Sequence, residues 1–220
     1  MKRAVALTSA LAPHLHSDAL SALGSALIST GDLVLAEATY LRELETCRAA
    51  GLLGPAATAL MNLGWIALQR DQTAAASVAF SEALDLARKG GASTAQIESN
   101  LGVAALLDGS VELAEQYLTS ALRDLAAMNA RPAAAECLLG LAAIAAVSGE
   151  MERASILGAA WRAEHANQKT APPPIHTRIE QRYLRGLERT PPSPAPSFEE
   201  IVEIALARAG GSSPTHAATH

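Results

Sequence analysis

The sequence predicts an all-α fold: a helical solenoid of about four helical hairpins, followed by a C-terminal cap helix. Three observations carry this. The first is a pattern that recurs four times along 220 residues. Aligned on a small residue within an apolar helix, the copies fall at Gly24, Gly64, Gly102 and Ala142, spaced by 40, 38 and 40 residues, a period in the range of repeat arrays. Leu stands before each of them (Leu23, Leu63, Leu101, Leu141). Seven residues on comes a turn position (Gly31, Asp71, Gly109, Gly149), and five further a second small residue (Ala36, Ala76, Ala114, Ala154). Four beyond that stand Tyr40, Phe80, Leu118 and, departing from the bulky pattern, Gly158. The second observation is composition: hydrophobic residues make up 50 % of the chain and aromatics only 3 %. A core of Ala, Leu, Ile and Val suits closely packed helices better than strands. The third is that no segment sustains a two-residue alternation, so no sheet is expected.

The elements follow in order. Met1 to Pro13 (MKRAVALTSALAP) has Lys2 and Arg3 ahead of a weak apolar stretch and an Ala10-Leu11-Ala12 box. Pro13 would follow the cut of a signal peptide, so the stretch reads instead as the tail of a helix that Pro13 ends. The clearest copy of the repeat runs from Leu60 to Leu84: an apolar helix, a polar turn at Arg70-Asp71-Gln72, and a second apolar helix. Gly64 and Ala76 let two antiparallel helices approach closely, and Phe80 fills the space beside them. Pro13, Pro55 and Pro132 lie near the starts of first helices, where a fixed φ is tolerated. Gly51 and Gly90-Gly91 follow second helices, as a C-terminus requires. Residues 1–168 are thus expected to form one repeat domain, 169–197 a Pro-rich linker with one helix at 175–189, 198–209 a cap helix, and 210–220 a disordered tail. Ser197, with Glu200 three residues on, marks a capping box for the last helix. Ile201, Val202, Ala205 and Leu206 give that helix an apolar stripe. It is expected to cover the open end of the last repeat.

Charge and motifs narrow the function classes. A net charge of −5 makes a poor binder of nucleic acid or of anionic membranes. The longest apolar run, Cys137 to Val147, is short of the ~20 residues that cross a bilayer. Cys47 and Cys137 fall in the first and last repeats, too far apart to bridge, and read as buried thiols of a reducing cytoplasm. No G-x4-G-K-S/T, helix-turn-helix, G-x-S-x-G or H-E-x-x-H occurs, so no catalytic, cofactor-binding or metal residues are assigned. His14 and His16 read as solvated or capping side chains, while His216 and His220 fall in the tail. Glu199, Glu200 and Glu203 suit a helix N-terminus electrostatically. Arg178, Arg182, Arg185 and Arg189 would suit a phosphate-contacting stripe, but interleaved Glu180 and Glu188 favour a solvated face.

The Leu-Gly, Ala, aromatic, Ala sequence of positions resembles the tetratricopeptide repeat, with a period somewhat longer than the usual ~34 residues. The stretch Leu139-Gly140-Leu141-Ala142, Ser148 to Ala154 and Leu157 to Trp161 is similar to the closing repeat of large bacterial ATP-binding signal regulators. Those are the LuxR-type and maltose-regulator-like groups. A Pro172-Pro173-Pro174 linker, a helix around Arg178 to Leu187, and Ser197-Phe198-Glu199-Glu200-Ile201 follow in the family's order. One family helix is missing, since only Thr190 to Pro196 separates the last two elements.

The resemblance implies a right-handed superhelix whose first helices line a concave groove. It places Ser21 and Ser25, Met61, Asn62 and Trp65, and Ser99 and Asn100 in that groove, with Gly140 in the register of the two Asn. Asn62 and Asn100 could clamp the backbone of an extended peptide or bond to a neighbouring helix. Trp65 could anchor a partner or pack between repeats. First helices lacking Lys and Arg, apart from Arg70 and Arg131 at their ends, exclude a carboxylate-holding, chaperone-type groove. The expectation is a cytoplasmic, non-catalytic protein-interaction or sensor module, resembling the C-terminal part of a transcriptional regulator and taking a protein or peptide partner. No cofactor, nucleic acid or membrane is expected, and the chain should be a monomer or weak homodimer. The alternative is a DNA-associated regulator subunit acting with a separately encoded ATPase or DNA-binding effector, and an enzyme comes third.

Overall fold

A computed structural model describes residues 13–168, 172–187 and 196–207. Every regular element among them is a helix. In order they are α1 (Pro13–Thr30), α2 (Leu33–Ala50), α3 (Leu53–Gln69), α4 (Thr73–Gly90), α5 (Ala95–Asp108), α6 (Val111–Ala127), α7 (Arg131–Val147), α8 (Met151–Gln168), α9 (Pro174–Tyr183) and α10 (Phe198–Leu206). The chain divides into two compact units, Met1–Gly109 and Ser110–His220, a boundary inside the 1–168 span expected as one repeat domain. Pro55 and Pro132 sit in the first turns of α3 and α7, and Pro13 opens α1. The residues before Pro13, where the tail of a preceding helix was expected, lie outside the described residues. So does the 210–220 tail.

The repeat is written into the backbone. Gly31, Asp71, Gly109 and Gly149 all take positive φ, at 83°, 61°, 87° and 81°. All four copies therefore turn in the left-handed region, where Asp71 carries a strain that the three glycines avoid. A second set of left-handed residues ends the second helices: Gly51, Gly91 and Asn129, at φ 70°, 67° and 55°. The amide after each reaches back to a buried-turn carbonyl in the same way: Leu52 N to Cys47 O at 2.9 Å, Ala92 N to Ala87 O at 2.9 Å, and Ala130 N to Leu125 O at 2.9 Å. This closes the last helical turn and satisfies carbonyls that the helix itself leaves open.

In the first unit, α1 packs on α2, α2 on α3, α3 on α4 and α4 on α5. First helices also touch directly, α1 with α3 and α3 with α5. The hairpins close through glycine under an aromatic ring. A Cβ on Gly24 would stand 2.5 Å from Tyr40 Cζ, and one on Gly64 2.6 Å from Phe80 Cε1. Tyr40, Phe80, Ala36 and Ala76 are all fully buried, so ring and small residues together form the hairpin core. Two arginines, Arg48 exposed and Arg70 half-buried, tie neighbouring hairpins at the rim. Arg48 pairs with Glu82 at 2.5 Å, and Arg70 reaches Glu37 at 2.6 Å and the Leu33 carbonyl at 3.2 Å.

In the second unit, α6 packs on α7 and α7 on α8; α9 lies on α7, and α10 on α8 and α6. The helix expected at 175–189 is shorter, ending at Tyr183, with Gly186 at φ 83° beyond it. The capping box at Ser197 and Glu200 forms reciprocally, with Ser197 N donating to Glu200 Oε2 at 2.7 Å and Glu200 N to Ser197 Oγ at 3.2 Å. Its buried face differs from the expected stripe. Phe198 and Ala205 are buried, whereas Ile201, Val202 and Leu206 are half-exposed. On the buried edge, the Arg131 guanidinium lies 4.5 Å over the Phe198 ring.

Candidate functional site

The face of the first helices is the candidate partner surface, and α3 supplies its centre. Met61, Asn62 and Trp65 lie on α3, all half-buried. Leu60 and Ile66 beside them point into the core, at 5 % and 1 % exposure. Spacing on one helical face therefore leaves Met61, Asn62 and Trp65 as one short patch with access to solvent. Ser25 on α1 is exposed, its Oγ 3.1 Å from Tyr40 Oη, so it covers the hydroxyl of the core ring. Ser21, one turn earlier, is half-buried and turned toward Glu43.

The patch does not continue as an open strip onto α5. Ser99 is 1 % exposed and Asn100 7 %. Gly140, in the register of Asn62 and Asn100, shows the packing that this position meets in the second unit. A Cβ there would stand 2.6 Å from Leu118 Cδ1 of α6. Gly140 thus faces back onto the preceding second helix. Asn62 keeps some exposure in that register, and Asn100 gives it up.

Other polar clusters are buried. Ser17 on α1 donates to Glu43 Oε1 on α2 at 3.2 Å, and its Oγ also lies 3.2 Å from Cys47 Sγ. All three are at most 1 % exposed, and Glu43 Oε2 has no partner. Burial is the main cause that raises the Glu43 carboxyl to about 7; the Ser17 bond opposes it, and the charge of Asp18 adds to it. Burial likewise raises the Cys47 thiol. A thiol kept protonated and out of solvent is a poor nucleophile. This cluster joins α1 to α2. Cys137 is likewise buried and in no disulfide.

His14 is exposed and His16 half-buried. Among the described residues, no group of three or more His, Cys, Asp or Glu is placed to hold a metal. The arginine series breaks up. Arg178 is half-buried, Arg182 lies 5.0 Å over the Tyr183 ring, Arg185 is exposed beyond the helix end, and Glu180 pairs with Arg162 at 2.5 Å. Arg189, Glu188, His216 and His220 lie outside the described residues. No described helix is long and apolar enough to cross a membrane.

Two constellations escape the sequence reading. Arg153 on α8, 13 % exposed, donates to the Ile204 and Ala205 carbonyls of α10 at 3.2 and 2.6 Å while pairing with Glu150 at 3.0 Å. An open cleft of about 620 Å³ lies beside it, lined by Met151, Ile156 and Ile204 among others. The second is a buried ring cluster of Trp161 and His165 on α8 with His176 on α9. Both bring together side chains of separate helices, which no short spacing announces. A comparison against protein-family models finds no match, and neither does a comparison against curated proteins.

Proposed function

We propose that this chain is a non-catalytic protein-interaction or sensor module of the tetratricopeptide type. In this reading its hairpins wind as a right-handed superhelix, with α9 and α10 as the cap. It is a relative of the C-terminal part of bacterial transcriptional regulators and works in the cytoplasm. It takes a partner protein segment on the first-helix face. The observation that carries this is the α3 patch: Met61, Asn62 and Trp65 remain accessible on a helix flanked directly by α1 and α5. Trp65 supplies a rigid aromatic anchor, and Asn62 a donor and acceptor for a partner's backbone.

The test is capture of partners from the source cell's lysate with wild type and with Trp65→Ala and Asn62→Ala, followed by titration of the captured partner. Truncating a buried interface anchor costs ~2 kcal/mol or more. Trp65→Ala should therefore weaken binding at least about thirtyfold while helicity by circular dichroism is unchanged. Partners retained at full affinity by both folded variants would place the binding surface elsewhere. Saturable ATP binding by the purified chain at micromolar concentration would refute the non-catalytic reading.

A further inference from the structure

We propose that Trp161, His165 and His176 form a proton-operated latch that holds α9 on the α7–α8 hairpin in neutral solution and releases it in mild acid. The three rings make one cluster. Trp161 and His165 centroids are 5.0 Å apart, Trp161 and His176 6.3 Å, and the two imidazoles 5.9 Å, near perpendicular at 80°. Trp161 is 2 % exposed, His176 4 % and His165 8 %. One nitrogen on each ring is buried without a hydrogen-bond partner: Trp161 Nε1, His165 Nδ1 and His176 Nδ1. Buried polar groups of this kind are costly even when neutral, and an imidazolium in their place is far costlier.

No carboxylate offsets that charge. The other charged and titratable side chains on the elements concerned are Arg131, Glu136 and Cys137 on α7; Glu152, Arg153, Arg162 and Glu164 on α8; and Arg178, Glu180, Arg182 and Tyr183 on α9; Glu199, Glu200 and Glu203 of α10, which packs on α8, are exposed. Glu164 is paired with Arg131, Glu150 with Arg153 and Glu180 with Arg162, while Glu136 and Arg178 have partners of their own. The charge that acts on His176 is that of His165, and it repels. Burial, with that repulsion second, holds His176 down at about 4, and burial also lowers His165. Both imidazoles are thus neutral in the closed state near pH 7 and regain ordinary basicity when α9 lifts. Protons therefore favour the open state by linkage.

The rest of α9 fits a detachable element. It is ten residues long and holds on by Ile175, Ile179 and the following Leu184, all at most 2 % exposed, plus the Arg162–Glu180 pair. Leu184 Cδ1 sits 3.2 Å from where a Cβ of Gly158 would be. Opening would uncover that glycine and an apolar face of the α7–α8 hairpin.

Hydrogen exchange by mass spectrometry on the full chain, at pH 7 and pH 5 and corrected for intrinsic rates, tests this. With His176 moving from about 4 when closed to the ordinary ~6.5 when open, the opening population of α9 should rise about twentyfold across that interval. Protection over α3 should not fall with it. The non-titrating variants His176→Phe and His176→Gln should abolish most of the rise, the second deciding the matter if the first does not fold. Unchanged α9 protection in wild type, an equal loss over α3, or a full acid response in a folded variant would each overturn the latch.

Discussion

Gly64 offers the sharpest perturbation of the hairpin core. Replacing it with Ala adds a Cβ 2.6 Å from Phe80 Cε1, 2.7 Å from Cδ1 and 3.0 Å from Cζ. Phe80 is fully buried, so the ring cannot swing into solvent and the hairpin must spread. Such overpacking costs about 1–3 kcal/mol, while the helix gains about 1 kcal/mol from replacing an interior glycine. The net expectation is a loss of up to about 2 kcal/mol, a few degrees in Tm for a chain of this size. Gly54 is the internal control, because it lies in the same helix with nothing within 4 Å of an added Cβ. Gly54→Ala should be neutral or stabilising by up to about 1 kcal/mol. Phe80→Leu shortens the obstructing side chain. Combined with Gly64→Ala, it should recover at least about 0.5 kcal/mol relative to the sum of the single effects. Thermal and urea melts of the four variants read this directly. A Gly64→Ala protein as stable as Gly54→Ala, or strict additivity in the double variant, would mean that ring and glycine do not share the contact described.

Two further outcomes follow from the buried polar groups. The Glu43 carboxyl is raised in the fold to about 7 from its usual 4.5, so its contribution to stability is present below pH 4.5 and is lost as pH rises through about 7. Since Glu43 is buried, wild type should lose roughly 2–3 kcal/mol between pH 5 and pH 8 through this group; Glu43→Gln should flatten that slope, and an unchanged slope in denaturant melts at the two pH values counts against the assignment. Arg153→Ala removes two bonds to the last carbonyls of α10. Charge-assisted bonds of this kind contribute about 1.5–3 kcal/mol, so α10 amides should exchange more than tenfold faster while α3 and α4 stay protected; equal exchange in both proteins would show that α10 is held by Phe198 alone.

The repeated part of this fold is legible because each register is a local demand on residue type. A left-handed turn asks for glycine at 31, 109 and 149, and a close crossing asks for the small residues at 24, 64, 36 and 76. These demands recur at fixed spacing, so the alignment that finds one finds them all. Asn129 shows the limit: it does a glycine's job at the end of α6 with a side chain that the alignment does not flag, whereas Asp71 is found by its register alone. The candidate partner surface is less legible. Helical spacing puts Asn62 and Asn100 on equivalent positions, but their exposure depends on what packs against each helix, and Asn100 is buried. The Trp161–His165–His176 cluster and the Arg153 clamp depend on where α9 and α10 return. That is set by long-range packing after a Pro-rich stretch, where periodicity carries no information.

Gly158 bears on how an array of this kind can grow. The segment from α3 through α4 carries its own ring, its own small partner and a left-handed residue at each boundary, so duplicating it would insert a unit that fits both neighbours. The α7–α8 hairpin lacks the bulky side chain at that position and borrows Leu184 from downstream. A duplicate of α7–α8 would leave the space over Gly158 open unless a side chain like Leu184 followed it. A copy of α7–α8 therefore needs a following α9 to cover its glycine, whereas the α3–α4 hairpin carries its own filling side chain.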